Sequence, residues 1–534
     1  MGWSKKRVFG AVCSFTVGSL LFASGAQESG GAATGGLGPI GFQKTGLPIV
    51  SQTVILKVMA QRDVFHKKEF ADFQLVKDME KLTNVQIQWD LVPSNAWLER
   101  VNLAFASNDL PDIFFRTISK SMQLQYGEQG LLLPLNDLVK QYAPNLQKYY
   151  AKYPSLVPAA TGPSGKMYAL PGRSVWGFSA NPDTLLINNE WLKKLGLAVP
   201  TTIEEFEAVL RAFKTRDPNG NGKNDEIPFS FRWGDSTQGV SSLFGLFGLL
   251  DYPNNHMIVQ DKKVQFTAAK SQYREALEWF SRLYREGLID QEALVQDVKQ
   301  YTAKGKDMLY GVFMDWSGVN IVGAPAMLNE TYVAVPPMKG KTGQRIWRYN
   351  DADVMHGEAA ISRSAKYPEV AMRWIDAISD PLVNMQWSDG PIGVRYRMEN
   401  NRIVENAAPA GISGGEFRHS EAPGRSSPLL WTPDFVDIVP NAATALKFKF
   451  VKMNEPFFSP QYYPDVFFNL QESEELSTLG TDIGGLVLQK QAVWVMDGNI
   501  GTEWDAYLKV LDQMGLPKYV AIHQAAYDRY MKGR

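Results

Sequence analysis

Short β-patterned runs alternate with stretches of helical spacing from Thr53 to Phe115, and this alternation leaves few folds open. Val54–Val58 is strand-like, and Phe70, Phe73, Val76, Met79 and Leu82 recur at helical spacing. Val85–Trp89 alternates as a strand, Trp97–Ala106 reads as a helix, and Pro111–Phe115 as a short buried strand. Parallel strands need a crossover of a dozen or more residues, usually a helix, so this order predicts a parallel sheet. The pattern returns at Thr184–Ile187, which leads into a helix Glu190–Leu195 that Gly196 ends. Thr201 or Thr202 then opens a helix as N-cap, with an acidic residue three positions on. Further helices are expected at Gln272–Glu286, Pro368–Ile378 and Thr502–Met514. No short-period repeat marks a solenoid. The expected fold is therefore α/β, with two lobes, each a mainly parallel sheet flanked by helices.

The chain has 534 residues, room for two or three domains, and 45% of them are apolar. That composition excludes disorder and collagen as the main state. The formal net charge is −1, without the basic surplus of a nucleic-acid binder. At the start, Lys5-Lys6-Arg7 precede an apolar run Val8–Ala23, and Ser24-Gly25-Ala26 follow. Residues 1–26 thus read as a secretory signal peptide, the run being shorter than the ~20 residues of a membrane-spanning helix. An uncleaved membrane anchor is the rival reading. Cys13, the one cysteine, lies inside the apolar run, which argues against a lipid anchor and excludes a disulfide framework. An exported, periplasmic protein, soluble after cleavage, is expected. Seven glycines between Gly30 and Gly46 suggest a flexible leader over 27–50.

The sharpest local signal is Asp217-Pro218-Asn219-Gly220-Asn221-Gly222-Lys223-Asn224-Asp225-Glu226. Asp217, Asn219, Asn221, Asp225 and Glu226 supply side-chain oxygens at positions 1, 3, 5, 9 and 10 of the loop, and Lys223 at position 7 can add its carbonyl. Gly222 stands where such a loop turns back with positive φ. Three carboxylates among oxygen ligands suit Ca2+ in a structural role. The loop departs from an EF-hand in having Pro228 at the twelfth position, so Glu226 would replace the usual bidentate glutamate. A metal-free Asx-turn loop is the alternative.

Catalytic motifs are wanting. The five histidines (His66, His256, His356, His419, His523) form no HExxH pair, no GxSxG elbow occurs, and Gly340-Lys341-Thr342 lacks the earlier glycine of a phosphate-binding loop. No enzyme is expected, although a carboxylate pair of a secreted, calcium-stabilised glycoside hydrolase could meet only in space. His356-Gly357-Glu358 reads as a polar surface turn.

Leu185–Ser230, "LLINNEWLKKLGLAVPTTIEEFEAVLRAFKTRDPNGNGKNDEIPFS", closely resembles the extracellular solute-binding proteins of carbohydrate ABC importers (family 1). It is most similar to the large branch that includes LplA-type lipoproteins and alginate-binding proteins and carries a calcium loop. Gly165–Gly172, Gly311–Gly318, Ala359–Asp376 and Glu503–Tyr530 follow in the family's order, so the resemblance spans nearly all of Thr53–Arg534. It implies a two-lobed, type II periplasmic-binding-protein-like fold with extra helices that closes on a sugar. The first lobe would hold 51–175 plus about 345–395, and the second 176–344 plus about 396–534. The chain would cross near Pro171–Ala180, Arg345–Met355 and Trp387–Arg397. The loop 217–226 would lie in the second lobe, away from the sugar, with the ligand set named above. A monomer that captures an oligosaccharide and docks on membrane permease subunits is implied.

A pyranose offers a C–H face to aromatic rings and hydroxyls to polar side chains. Trp316, beside Asp315, matches the position where the family often places a stacking tryptophan. Trp176, Trp233 and Trp387 lie near the expected crossings or beyond the calcium-loop strand. Arg116, Asp112 and Glu358 stand at ends of expected strands, where open α/β sheets bind ligands. Each tryptophan could instead be a core residue with its N–H on a carbonyl. A peptide or polyamine is the other solute class the same fold could take.

Overall fold

The computed structural model describes residues 38–173, 181–235, 237–349, 354–409, 411–424 and 432–532. The expected signal peptide with Cys13, Trp176 in the expected first crossing and the first part of the expected leader lie outside these residues. The strands are β1 (Val54–Arg62), β2 (Val85–Pro93), β3 (Ile113–Phe115), β4 (Leu170–Arg173), β5 (Thr184–Asn188), β6 (Ile227–Ser230), β7 (Met257–Gln260), β8 (Lys263–Phe266), β9 (Tyr310–Asp315), β10 (Tyr332–Ala334), β11 (Val354–Ile361), β12 (Tyr396–Glu399), β13 (Arg402–Glu405) and β14 (Ile438–Val439).

The expected α/β alternation forms two main sheets, of order β2-β1-β3-β11-β4 and β10-β5-β9-β6. The sheets are mixed, which corrects the expectation of mainly parallel ones. β1 runs parallel to β2 and β3, but β11 is antiparallel to both β3 and β4. In the second sheet only β6 and β9 are parallel. The first reversal has a topological cause. β11 belongs to chain returning from the second sheet; it enters at the edge where β3 and β4 end, so it must run against them.

Each sheet has its own core. Val58, Phe115, Trp374 and Trp387 belong to the first, and Phe206, Phe229, Phe280 and Trp494 to the second. Helix Gln74–Thr83 buries Val76 and Met79, the spacing that marked it in the sequence. At helix Ile203–Thr215 the N-cap is Thr202, which accepts from the Glu205 N–H, while the Glu205 carboxylate accepts from the Thr201 backbone and hydroxyl. A 28-residue helix, Leu470–Asp497, starts on a full capping box of Asn469 and Glu472. With Ile500–Gln513 and Leu516–Lys532 it closes the second core through Ile483, Trp494, Trp504 and Tyr519. Among the described residues no helix is long and apolar enough to cross a membrane.

Two expected boundaries move. Gly38–Val50, read as part of the leader, packs on the first core: Ile49 and Val50 are fully buried, and the Ile49 N–H donates to the Thr83 carbonyl. Burying two such side chains is worth about 1.5–3 kcal/mol each, enough to hold a short strap. Residues 396–439, assigned by expectation to the second lobe, pack on the first sheet's side. Phe435 stacks on Tyr149, the Tyr153 hydroxyl donates to Asp434, and His419 meets His66. The chain passes to the second core beyond Val439, through helix Ala442–Asn454, whose Phe450 packs with Leu186 and Phe313. The third connection between the two cores therefore lies near Asn441, beyond the Trp387–Arg397 stretch where it was expected.

Candidate ligand-binding site

β9 ends at Asp315, whose buried carboxylate accepts from the backbone N–H groups of Ser317 (3.1 Å) and Gly318 (2.7 Å) and from Gln238 Nε2 (3.0 Å). Asp315 therefore builds the turn that carries Trp316, rather than offering itself to a ligand. Trp316 is half-buried, and the Lys447 ammonium stands 4.6 Å from its ring centroid. The same ammonium donates to the carbonyls of Trp316 and Asn181, the latter at 2.9 Å. Burial pushes the Lys447 amine down to about 7, against the opposing pull of Asp183 and Asp315.

The two crossing segments are joined beside this turn. Asp183, fully buried, accepts from Ser242 Oγ at 2.8 and 2.7 Å and pairs with Arg348 Nη2 at 3.2 Å. β5 begins at Thr184, opposite Asp315, so the chain entering the second sheet arrives next to Trp316.

At the matching edge of the first sheet, β3 runs out into Arg116 and Thr117, both left-handed, with φ of 78° and 35°. Consecutive non-glycine residues in that region store strain that neighbouring contacts must hold. The Arg116 N–H donates to the Glu358 carbonyl (2.9 Å), Ile118 N–H to that of Gly357 (3.1 Å), and Trp97 Nε1 to that of Thr117 (3.1 Å). Gly357 is required here: a Cβ would stand 2.1 Å from the Ile118 oxygen. Arg116 and Glu358 are thus brought together. His356 and Lys120 lie beside them and meet Asp465, which reaches over from the stretch packed on the second core. Asp465 Oδ2 is 2.9 Å from His356 Nε2 and 3.1 Å from Lys120 Nζ. Burial lowers the affinity of His356 and Lys120 for protons, opposed in both by Asp465.

Three expected ligand residues fall elsewhere. Trp387 is fully buried, with its ring among Trp89 and Trp374 in the first core. Trp233 is half-buried and packs on Phe231 and Phe280, with its N–H on Gln491. Asp112 lies at the opposite end of β3, where its carboxylate accepts from the Lys57 N–H (2.8 Å) and burial raises its pKa. Sequence reasoning missed Asp183, Gln238, Arg348, Lys447, Lys120 and Asp465, and read His356 as a surface turn. Their partners lie tens to hundreds of residues away, so no local spacing marks them.

The loop 217–226 precedes β6 and so sits at the end of the second sheet opposite Trp316. The carboxylates of Asp217 and Asp225 are held by hydrogen bonds within the loop. Asp217 accepts from the N–H groups of Gly220 (2.8 Å) and Gly222 (3.0 Å), and Asp225 from the amides of Asn219 (2.8 Å) and Asn221 (3.0 Å). These amides hold the Asp225 carboxyl below its usual range. Among the described residues no three His, Cys, Asp or Glu side chains converge as metal ligands. One observation fits a cation nevertheless: Glu226 Oε1 is buried without a hydrogen-bond partner, and burial, with Asp217 and Asp225 nearby, raises its pKa. An added positive charge would satisfy that oxygen.

An aromatic turn on one α/β sheet and a strained polar turn on another, joined by chain crossings, are elements from which a solute-binding site can be built. The chain belongs to the bacterial extracellular solute-binding proteins, whose family model matches residues 67–381. It is 32% identical over 497 residues to the fructooligosaccharide ABC transporter substrate-binding protein FusA of Streptococcus pneumoniae, with 90% of this chain and 91% of FusA covered. The structure of FusA in complex with kestose superposes with a TM-score of 0.79 at 31% identity, over 90% of this chain and all of that one. A further FusA structure is described as an EF-hand mutant, in complex with fructo-nystose, and matches at 30% identity with the same TM-score and coverage. An HMO binding ABC-transporter associated solute binding protein of Bifidobacterium longum infantis matches at a TM-score of 0.79 and 26% identity, over 90% of this chain and 99% of that one. Family membership makes the chain an exported protein of the extracytoplasmic space.

Proposed function

We propose that this chain is the receptor of an ABC importer that holds an oligosaccharide between two lobes of a type II periplasmic-binding-protein-like fold and presents it to a membrane permease. The observation that carries the reading is the Trp316 turn, fixed by Asp315 and Lys447 beside the chain crossings. An indole held there offers a flat apolar face to the C–H side of a sugar ring, and Arg116 and Glu358, at the edge of the first sheet, would supply polar groups for its hydroxyls. Ligand contacts to both lobes would favour the closed arrangement, since a ligand shifts an equilibrium only by its differential affinity. Similarity to a kestose-binding relative makes short fructose-containing oligosaccharides the first ligands to try. The loop 217–226 is read as a structural Ca2+ site of the alginate-binding-protein-like branch. Asp217, Asn219, Asn221, Asp225, Glu226 and the Lys223 carbonyl would hold the ion, which stiffens the connection into β6.

Isothermal titration of the purified protein with kestose, nystose, lacto-N-tetraose and trigalacturonate tests the reading. Binding of one of them, with the sugar recovered intact and affinity lost in Trp316→Ala, is the expected result. Cleavage of the sugar, or full affinity in Trp316→Ala, would overturn it.

A further inference from the structure

Helix Ala442–Asn454 is the third connection between the two sheets' cores, and its contacts reach both sides. At its start, the Asn441 N–H donates to Glu405 (3.1 Å) and the Asn441 amide to the Asn406 carbonyl (3.3 Å), both on the first side. At its end, the Asn454 amide donates to Asn181 Oδ1 (3.1 Å), at the point where the first crossing enters the second sheet. Between them lies Lys447, 2% exposed. A lysine this deeply buried is rare, and removing its charge from water is costly unless the ammonium is well used. Lys447 donates to the carbonyls of Asn181 and Trp316 and stands at the Trp316 ring. Among the described residues no carboxylate pairs with it directly; Asp183 and Asp315 act on it through space. One group therefore joins the third crossing, the end of the first crossing and the aromatic turn.

We infer that Lys447 is a positioning residue that couples the Trp316 sugar platform to the hinge, so that ligand capture and lobe closure share one ammonium group. The inference rests on the receptor reading above. Lobe closure must change the relation of the three crossings, and two of them meet at this nitrogen. A sugar that reorients the indole also moves the carbonyl and ring that hold the ammonium, and through it the Asn181 carbonyl. A merely structural lysine would affect stability without altering lobe geometry or affinity.

The test uses Lys447→Met, which keeps the length of the side chain and removes its donors and charge, and Lys447→Gln, which restores a donor without charge. Lys447→Met removes a buried charge but leaves the Asn181 and Trp316 carbonyls without this donor, so Lys447→Gln keeps the test decisive if the Met variant loses stability. Kestose affinity, measured on protein shown to be folded by its melting transition, should fall by roughly ten- to hundredfold in Lys447→Met and by less in Lys447→Gln. A ligand-free readout stands beside it. Spin labels at Lys77→Cys and Lys299→Cys in a Cys13→Ser background report the distance between the lobes, and Lys447→Met should shift that distribution. Affinity within twofold of the parent, or an unchanged distance distribution, would overturn the coupling. If the parent binds no sugar of the panel, the receptor reading fails by itself, and the spin-label distances still decide the role of Lys447.

Discussion

Replacing Asp183 by Ala tests whether the two crossing segments are locked by a buried charge pair. The Asp183 carboxylate is fully buried and the Arg348 side chain is 3% exposed, with 3.2 Å between Nη2 and Oδ2. At an effective dielectric of about 20 the Coulomb attraction at that distance is roughly 5 kcal/mol, before desolvation. Removing one partner of such a pair costs about 3–5 kcal/mol, because the remaining charge keeps its burial and loses this compensation. The Ser242 hydroxyl loses its acceptor as well. With about 2–4 °C per kcal/mol for domains of this size class, the melting temperature should drop by roughly 10 °C. Urea unfolding of Asp183→Ala, Arg348→Met and the double variant would give the coupling, expected at about 2–3 kcal/mol. The coupling should persist in 1 M salt, since buried pairs are little screened. A single-variant cost below about 1 kcal/mol, or a coupling that salt abolishes, would refute the lock.

Trp387→Phe should lower stability by about 1–3 kcal/mol, the range for shrinking a core side chain, and leave sugar affinity of the folded protein unchanged. Affinity lost at constant stability would return Trp387 to the binding site. His523 lies among Tyr463, Phe468 and Tyr519, and burial pushes its pKa down to about 4. The folded state then binds fewer protons than the unfolded one between pH 6.5 and 4. This contribution, about 3 kcal/mol, is present above pH 6.5 and lost as pH falls through that window. His523→Phe should flatten that part of the stability–pH curve, and an unaltered slope would contradict it. In the loop 217–226, Asp217→Ala with Asp225→Ala should abolish the calcium-dependent rise in melting temperature expected of the parent. The same rise in both proteins would remove the ion from this loop.

Much of the fold was written locally. The strands β1, β2, β3 and β5, the helices after them, the Gly196 stop and the Thr202 cap follow from hydrophobic period and capping chemistry, which act within a few residues. The long helix Leu470–Asp497 escaped because Gly480, Gly484 and Gly485 interrupt its pattern and only packing on the second core decides it. Strand direction escaped for another reason: β11 is antiparallel because of where the returning chain enters the sheet, a property of the whole path. At the site, Trp316 and the oxygen-rich loop could be named from sequence, since residue type and short spacing carry their chemistry. Whether a tryptophan is a platform or a core residue depends on what surrounds it, so the burial of Trp387 needed the structure. Asp183 with Arg348, Lys447 with Asn181, and Asp465 with His356 are partnerships between distant residues. Sequence alone determined an exported-type α/β chain with a candidate aromatic anchor. Tertiary structure decided which buried charges hold that anchor and the crossings beside it, because such charges are tolerated only where folding brings their partners within hydrogen-bond reach.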